Sequence, residues 1–203
     1  MEDPQKSGAR IKDLVCDVPF FFDLIRYIIL GGTKKLNLEA LNAVGKENEK
    51  ILDIACGTCN LTKLITTEDY TGIDIHELFL QKAKSRFPKR KFIKMDGTNL
   101  KFKDKSFDKV IIMNFLHHLQ EEEARKVLKE ARRVCRGKTV IMDNIIPEKL
   151  IDKLFVKLDR GNYIRTLEEE LKLVGGFFNI EKVKIIKTGF FKFALLTCSP
   201  KKH

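Results

Sequence analysis

The stretch ILDIACGTCN, Ile51 to Asn60, followed by YTGIDI, Tyr70 to Ile75, constrains the fold of this chain more than any other feature. Each is a short apolar run that carries an acidic residue at its end, Asp53 and Asp74. The first then opens into a turn of small residues, Ala55-Cys56-Gly57-Thr58, and a helix-like LTKLI. A strand running into a small-residue turn and a helix is the layout of a nucleotide-type ligand site at the carboxyl edge of a parallel sheet. The turn lets backbone approach the ligand, and the second acidic residue falls where a ribose would lie.

The rest of the chain repeats this alternation. Helical spacing is read over Phe20–Leu30, Lys34–Val44 behind the Gly31-Gly32 break, Asn60–Thr66 and Glu77–Arg86, the last stopped by Pro88. Glu121–Val134 is amphipathic, acidic at its start and basic at its end, as the helix dipole prefers. Glu148–Leu158 and Leu167–Val174 complete the helices; Thr166 with Glu169 makes a capping box and Gly175 a stop. Strands are expected at Lys50–Ile54, Tyr70–Ile75, Lys91–Met95, Lys109–Met113 and Lys138–Met142, the third running up to Asp96 and the fifth ending at Asp143. Two further strands, Ile180–Lys187 and Phe191–Thr197, are joined by a tight turn at Thr188-Gly189 and are expected to be antiparallel neighbours. Three carboxylates at the ends of three successive strands, Asp53, Asp74 and Asp96, land on one edge of a parallel sheet.

With 203 residues the chain has room for one well-buried core, so residues 1–203 are read as a single α/β domain with residues 1–46 as a helical cap over the substrate side. No apolar run reaches the roughly 18 residues of a membrane-spanning helix, and MEDPQKSGAR lacks the apolar core of a signal peptide. Five scattered cysteines fit a reducing compartment, so the expected location is cytoplasmic. The net charge of +11 admits nucleic acid, an anionic membrane surface or an acidic substrate, or simply a soluble basic surface.

Four segments in order, FFDLIRYIILGGTKK, ILDIACGTCNLTKL, YTGIDI and KMDGTNLKFKDKSFDKVIIMNFLHHL, make the chain resemble a class I S-adenosylmethionine (SAM)-dependent methyltransferase from about Phe20 onward. Within that class it is similar to the small-molecule branch of ubiquinone/menaquinone C-methyltransferases and phospholipid N-methyltransferases. The resemblance implies a Rossmann-like fold: a seven-stranded, mostly parallel sheet with helices on both faces, a terminal antiparallel hairpin, and strand order 3-2-1-4-5-7-6. It implies SAM as cofactor, with S-adenosylhomocysteine as its product, and a small-molecule methyl acceptor. Asp53, Ala55, Cys56, Gly57 and Thr58 would contact the methionine portion, Asp74 both ribose hydroxyls, and Ile75, Asp96 and Gly97 the adenine end. Asn114 would lie near the sulfonium and the acceptor. No metal is implied.

Two departures stand out. The family's first motif has glycine at three alternating positions, whereas this chain has Ala55, Gly57 and Cys59; a cysteine adds a side chain where backbone is expected to come close. The usual Pro-Gly-Gly turn before the fifth strand is reduced to Arg136-Gly137-Lys138, read as a different loop.

Other readings compete at several residues. Cys56-Gly57-Thr58-Cys59 is a CxxC, but no aromatic precedes it, and no second CxxC or CxxH completes a zinc set. His118, more than its neighbour His117, could take a proton from an oxygen or nitrogen acceptor, against the plainer reading of both as loop residues packing the next helix. Phe20, Phe21, Phe22, Tyr27 and Phe155 could line an apolar acceptor or belong to a core, and Tyr163 and Arg165 fall in a loop that often faces the substrate. An RNA methyltransferase is the enzymatic alternative, yet Asn114-Phe115-Leu116-His117 stands where base-amino methylating families carry an Asn-Pro-Pro-Tyr type motif. A non-catalytic nucleotide or redox module is the third alternative.

Overall fold

The computed structural model describes residues 34–44, 49–59, 65, 67–148, 163–189 and 191–201. The helices expected over Phe20–Leu30, Asn60–Thr66 and Glu148–Leu158, apart from Ile65 and Glu148, and the aromatic residues at 20–22, 27 and 155, lie outside these.

In chain order the elements are α1 (Lys34–Val44), β1 (Ile51–Ile54), β2 (Tyr70–Asp74), α2 (Glu77–Arg86), β3 (Lys91–Lys94) and β4 (Phe107–Met113). They continue with α3 (Glu121–Val134), β5 (Cys135–Ile145), α4 (Leu167–Gly175), β6 (Phe178–Thr188) and β7 (Phe191–Pro200). One seven-stranded sheet has the order β3-β2-β1-β4-β5-β7-β6, the order the resemblance implies. The first five strands run parallel, while β7 is antiparallel to both β5 and β6. The order reverses at β1, flanked by β2 and β4, so the ligand crevice belongs at the carboxyl ends of these three strands.

Apolar runs form the inner strands because both faces of the sheet are covered. Leu52, Ile54, Val110 and Ile112 face the buried stripe of α3, Ala124, Val127, Leu128, Ala131 and Val134. Ile51, Ile111, Val140 and Met142 point the other way, into a core shared with Leu36, Ala40 and Val44 of α1 and Leu80 and Ala83 of α2. Glu123 accepts the Gln120 N–H (3.2 Å) at the start of α3, and Thr166 and Glu169 form the expected capping box at α4. Among the described residues no helix is long and apolar enough to cross a membrane.

Arg136-Gly137-Lys138 does not form a loop: it lies inside β5, which begins at Cys135. The β4–β5 register shifts between Phe107 and Lys109, and the position a Gly137 Cβ would take is 2.7 Å from the Asp108 carbonyl oxygen. Only glycine allows that approach, so the three residues that replace the usual turn are absorbed into a bulged pairing.

Candidate active site

The turn after β1 is built from alternating left-handed residues. Ala55 has φ 58°, Gly57 55° and Cys59 59°, so the backbone asks for glycine's conformational freedom at the same three positions where the resembling family has glycines. Ala55 and Cys59 adopt it at a strain of about 1–2 kcal/mol each. The turn is held by hydrogen bonds from Cys56 N–H to the Ile73 oxygen (2.9 Å), Cys59 N–H to the Cys56 oxygen (3.0 Å) and Arg86 Nη1 to the Thr58 oxygen (2.9 Å). Around Gly57 a Cβ would meet no atom of the described residues within 4 Å.

The Cys59 side chain does not lie across Gly57. It is buried in the α1/α2 side of the core, with its thiol 3.7 Å from the Tyr70 hydroxyl. Tyr70 in turn donates to Asp53 Oδ2 at 2.6 Å. Burial first, and then the charge of Asp53, push the phenol well above its ordinary pKa, so the hydroxyl keeps its proton and remains a donor. Cys56 is also raised well above the ordinary thiol range, chiefly by its hydrogen bond with Cys59 and then by burial. A CxxC poised for redox work needs the opposite shift at its leading thiol, which Cys56 does not have.

Close packing behind the turn gives a direct test. A Cβ on Gly72 would sit 2.8 Å from Cys56 Sγ and 2.9 Å from Phe92 Cδ1. Gly72→Ala is therefore expected to cost about 1–3 kcal/mol in urea unfolding.

Asp74, at the end of β2, joins two strand tips. Its Oδ2 accepts the Gly57 N–H at 2.8 Å and its Oδ1 the His76 N–H at 2.9 Å. Beyond it Ile75 is 59% exposed, leaving an open apolar surface beside the carboxylate. Asp96, the third strand-end carboxylate, is exposed in the turn after β3, where it accepts the Thr98 N–H at 2.8 Å. Gly97 is buried, and a Cβ there would come within 3.0 Å of Ile54 Cγ2.

Asn114 is the residue whose polar groups are least accounted for. It takes φ 51° just past β4, its N–H bonds the Met142 oxygen at 2.7 Å, and its Oδ1 and Nδ2 are both buried without a hydrogen-bond partner. Buried amides are nearly always satisfied, so one at the carboxyl edge of the sheet with no partner among the described residues is unusual.

His117 and His118 lie past β4 in a short 3-10 turn, Leu116–His118. The turn separates their roles. His117 is buried: its main-chain N–H bonds Asp143 Oδ2 at 3.0 Å, and its ring Nδ1 bonds Asp143 Oδ1. His118 is exposed, its ring centroid 4.1 Å from that of His117. Arg165 spans the same turn, Nη1 on the Leu116 oxygen (2.9 Å) and Nη2 on the Leu119 oxygen (3.0 Å), and the Tyr163 N–H bonds the His117 oxygen (3.0 Å). Glu170 of α4 is buried with its Oε2 4.0 Å from Arg165; its pKa is pushed up to about 8, by burial above all and then by Asp143. The strand-end pattern that marks Asp53, Asp74 and Asp96 marks Asp143 too, but nothing local pairs it with a histidine 26 residues away.

The family model described as a methyltransferase domain matches residues 51–138. The chain is 28% identical over 183 residues to a demethylmenaquinone methyltransferase of Thermotoga maritima, covering 86% of this chain and 75% of that protein. A demethylmenaquinone methyltransferase of Streptomyces griseus is 32% identical over 145 residues, 68% of this chain and 62% of that protein. Among solved structures, a Pyrococcus horikoshii protein superposes with a TM-score of 0.66 at 24% identity, covering 83% of this chain and 88% of that one. The magnesium protoporphyrin IX methyltransferase of Synechocystis, crystallised with S-adenosylhomocysteine, gives 0.64 at 18% identity over 83% and 82%.

Proposed function

We propose that this chain, a class I SAM-dependent methyltransferase, methylates a small quinol of the demethylmenaquinone type. The orphaned Asn114 amide carries the reading: both its atoms are buried and partnerless at the carboxyl end of β4, beside the turn that Asp74 holds. The space at Gly57 that no described residue fills, the carboxylate at the tip of β2 and the uncovered Ile75 fit the cofactor. Asp53, Ala55, Cys56, Gly57 and Thr58 would hold its methionine portion, Asp74 its ribose, and Ile75, Asp96 and Gly97 its adenine. SAM supplies an electrophilic methyl group on a sulfonium.

The chain's own work is orientation and proton handling. A quinol ring carbon becomes a strong nucleophile once a neighbouring hydroxyl loses its proton. Asn114 would orient that oxygen and exposed His118 would accept the proton. Support for this acceptor comes from relatives named demethylmenaquinone methyltransferases. Peripheral docking on anionic lipid, where so apolar an acceptor would lie, would follow from the charge: Leu78 to Met95, through α2 and β3, holds seven cations and no acid.

The test follows a radiolabelled methyl group from SAM to a short-chain demethylmenaquinone reduced to its quinol, to phosphatidylethanolamine vesicles and to transfer RNA. Label is expected in the quinol alone. Label in lipid or RNA, or none anywhere, would overturn the acceptor assignment.

A further inference from the structure

We propose that Asp143 and Arg165 are positioning residues for methyl transfer, fixing the Asn114–Leu119 turn so that the Asn114 amide and the His118 ring meet the acceptor. The inference rests on the assignment of those two residues to the acceptor side.

A turn leaving the carboxyl end of a strand is ordinarily held by little beyond its own hydrogen bonds. Here the Asn114 N–H bonds the Met142 oxygen, and groups from two segments among the described residues bond the rest of it. Asp143 accepts the His117 N–H and ring Nδ1, Arg165 donates to the Leu116 and Leu119 oxygens, and Tyr163 donates to the His117 oxygen. The holders are themselves fixed. Asp143 also accepts the Asn144 N–H at 2.8 Å, and Ile146 N–H bonds the Arg165 oxygen at 2.9 Å beside an Ile145–Arg165 bridge. Each Asp143 oxygen accepts a main-chain N–H, from His117 and from Asn144, so as a carboxylate it takes the ring Nδ1 as a donor. With Nδ1 engaged in this way, the lone pair of a neutral His117 ring is at Nε2.

Asp143 is 2% exposed, His117 4% and Glu170 2%, and Arg165 is largely covered. Collecting such groups in one cluster is a poor way to add stability, because an apolar cluster of the same volume would avoid the desolvation cost. What charged groups do better is fix direction. The rigid fork of Arg165 spans two carbonyls that no apolar contact could orient, and the carboxylate sets both position and tautomer of His117.

Two variants separate positioning from plain support. Asp143→Asn keeps the shape but removes the charge, and Arg165→Lys keeps the charge but lacks the fork. With the reduced short-chain quinol as acceptor, each should lower kcat about 10- to 100-fold while SAM affinity, by calorimetry, stays within about two-fold. In 15N-histidine NMR, Asp143→Asn should move the His117 titration midpoint to lower pH by about one unit or more, and Arg165→Lys should leave it in place. Unchanged kcat in both folded variants, or SAM affinity lost in step with kcat, would overturn the proposal. So would a His117 midpoint unmoved in folded Asp143→Asn. Should Asp143→Asn not fold, Arg165→Lys decides through kcat against SAM affinity. A wild-type protein that binds SAM yet leaves the quinol unmethylated would sink the acceptor reading, while the histidine titration would still test the pair.

Discussion

Asp74→Ala is expected to weaken SAM binding by 100-fold or more, the largest binding effect of any single substitution in this site. Two losses combine. The charge-assisted hydrogen bonds proposed for the ribose hydroxyls go, at about 1.5–3 kcal/mol each. The Gly57 and His76 N–H groups lose their acceptor as well, and the Gly57 bond helps the Cys56–Ile73 bond tie the β1 turn to the tip of β2. A turn with three left-handed residues, two of them not glycine, is strained and has reason to relax once the bond is cut. The first loss alone amounts to roughly 3 kcal/mol or more, at least two decades in Kd. Asp74→Asn retains one acceptor oxygen and should fall between the two, near ten-fold. Calorimetry on reduced protein decides the matter, and an Asp74→Ala protein binding within ten-fold of wild type would remove Asp74 from the cofactor site.

The second large effect concerns stability and pH. Glu170 has an ordinary pKa of 4.5 that the folded protein pushes up to about 8. The folded state thus keeps a proton that the unfolded chain gives up. Stability from this group is fully present below about 4.5, declines as pH rises through the window, and levels off above 8. Arg165 at 4.0 Å favours the charged form, but burial and the facing Asp143 outweigh it. Glu170→Gln copies the protonated acid. Near pH 5 the variant should match wild type to within about 1 kcal/mol, and by pH 8 it should be more stable by on the order of 3 kcal/mol. Urea unfolding at a series of pH values measures the slope. Parallel curves for the two proteins would mean that Glu170 titrates normally.

Elements whose ends are written locally were legible in the sequence. α1, α2 and α3 begin and end on the residues that spacing indicates, with end charges marking α2 and α3 and Pro88 closing α2. β5 was not: it extends three residues beyond the expected Lys138–Met142 at both ends, through the bulged pairing with β4 at one end and the β7 ladder at the other. Those partners are tertiary facts that no window of ten residues contains. The site divides the same way. Asp53, Asp74 and Asp96 were visible as strand-end carboxylates, and the three left-handed positions as a glycine-like motif. The inward turn of Cys59, the Tyr70–Asp53 bond, and the grip of Asp143 and Arg165 on the histidine turn were not. Each depends on which side chains the sheet order brings together across 11 to 49 positions of chain. The sequence favours His118 over His117 as the proton acceptor, and the 3-10 turn turns the first outward and the second toward Asp143.

The place of β7 between β5 and β6 carries a consequence for how the protein is made. β5 is complete at Ile145, but the strand that covers its open side starts only at Phe191. At ribosomal speeds of 5–20 residues per second, those intervening 45 or so residues mean a wait of about 2–9 s. Throughout it, the Val140-Ile141-Met142 edge of a nearly finished sheet has no strand beside it. The nascent protein is then a template for any passing strand.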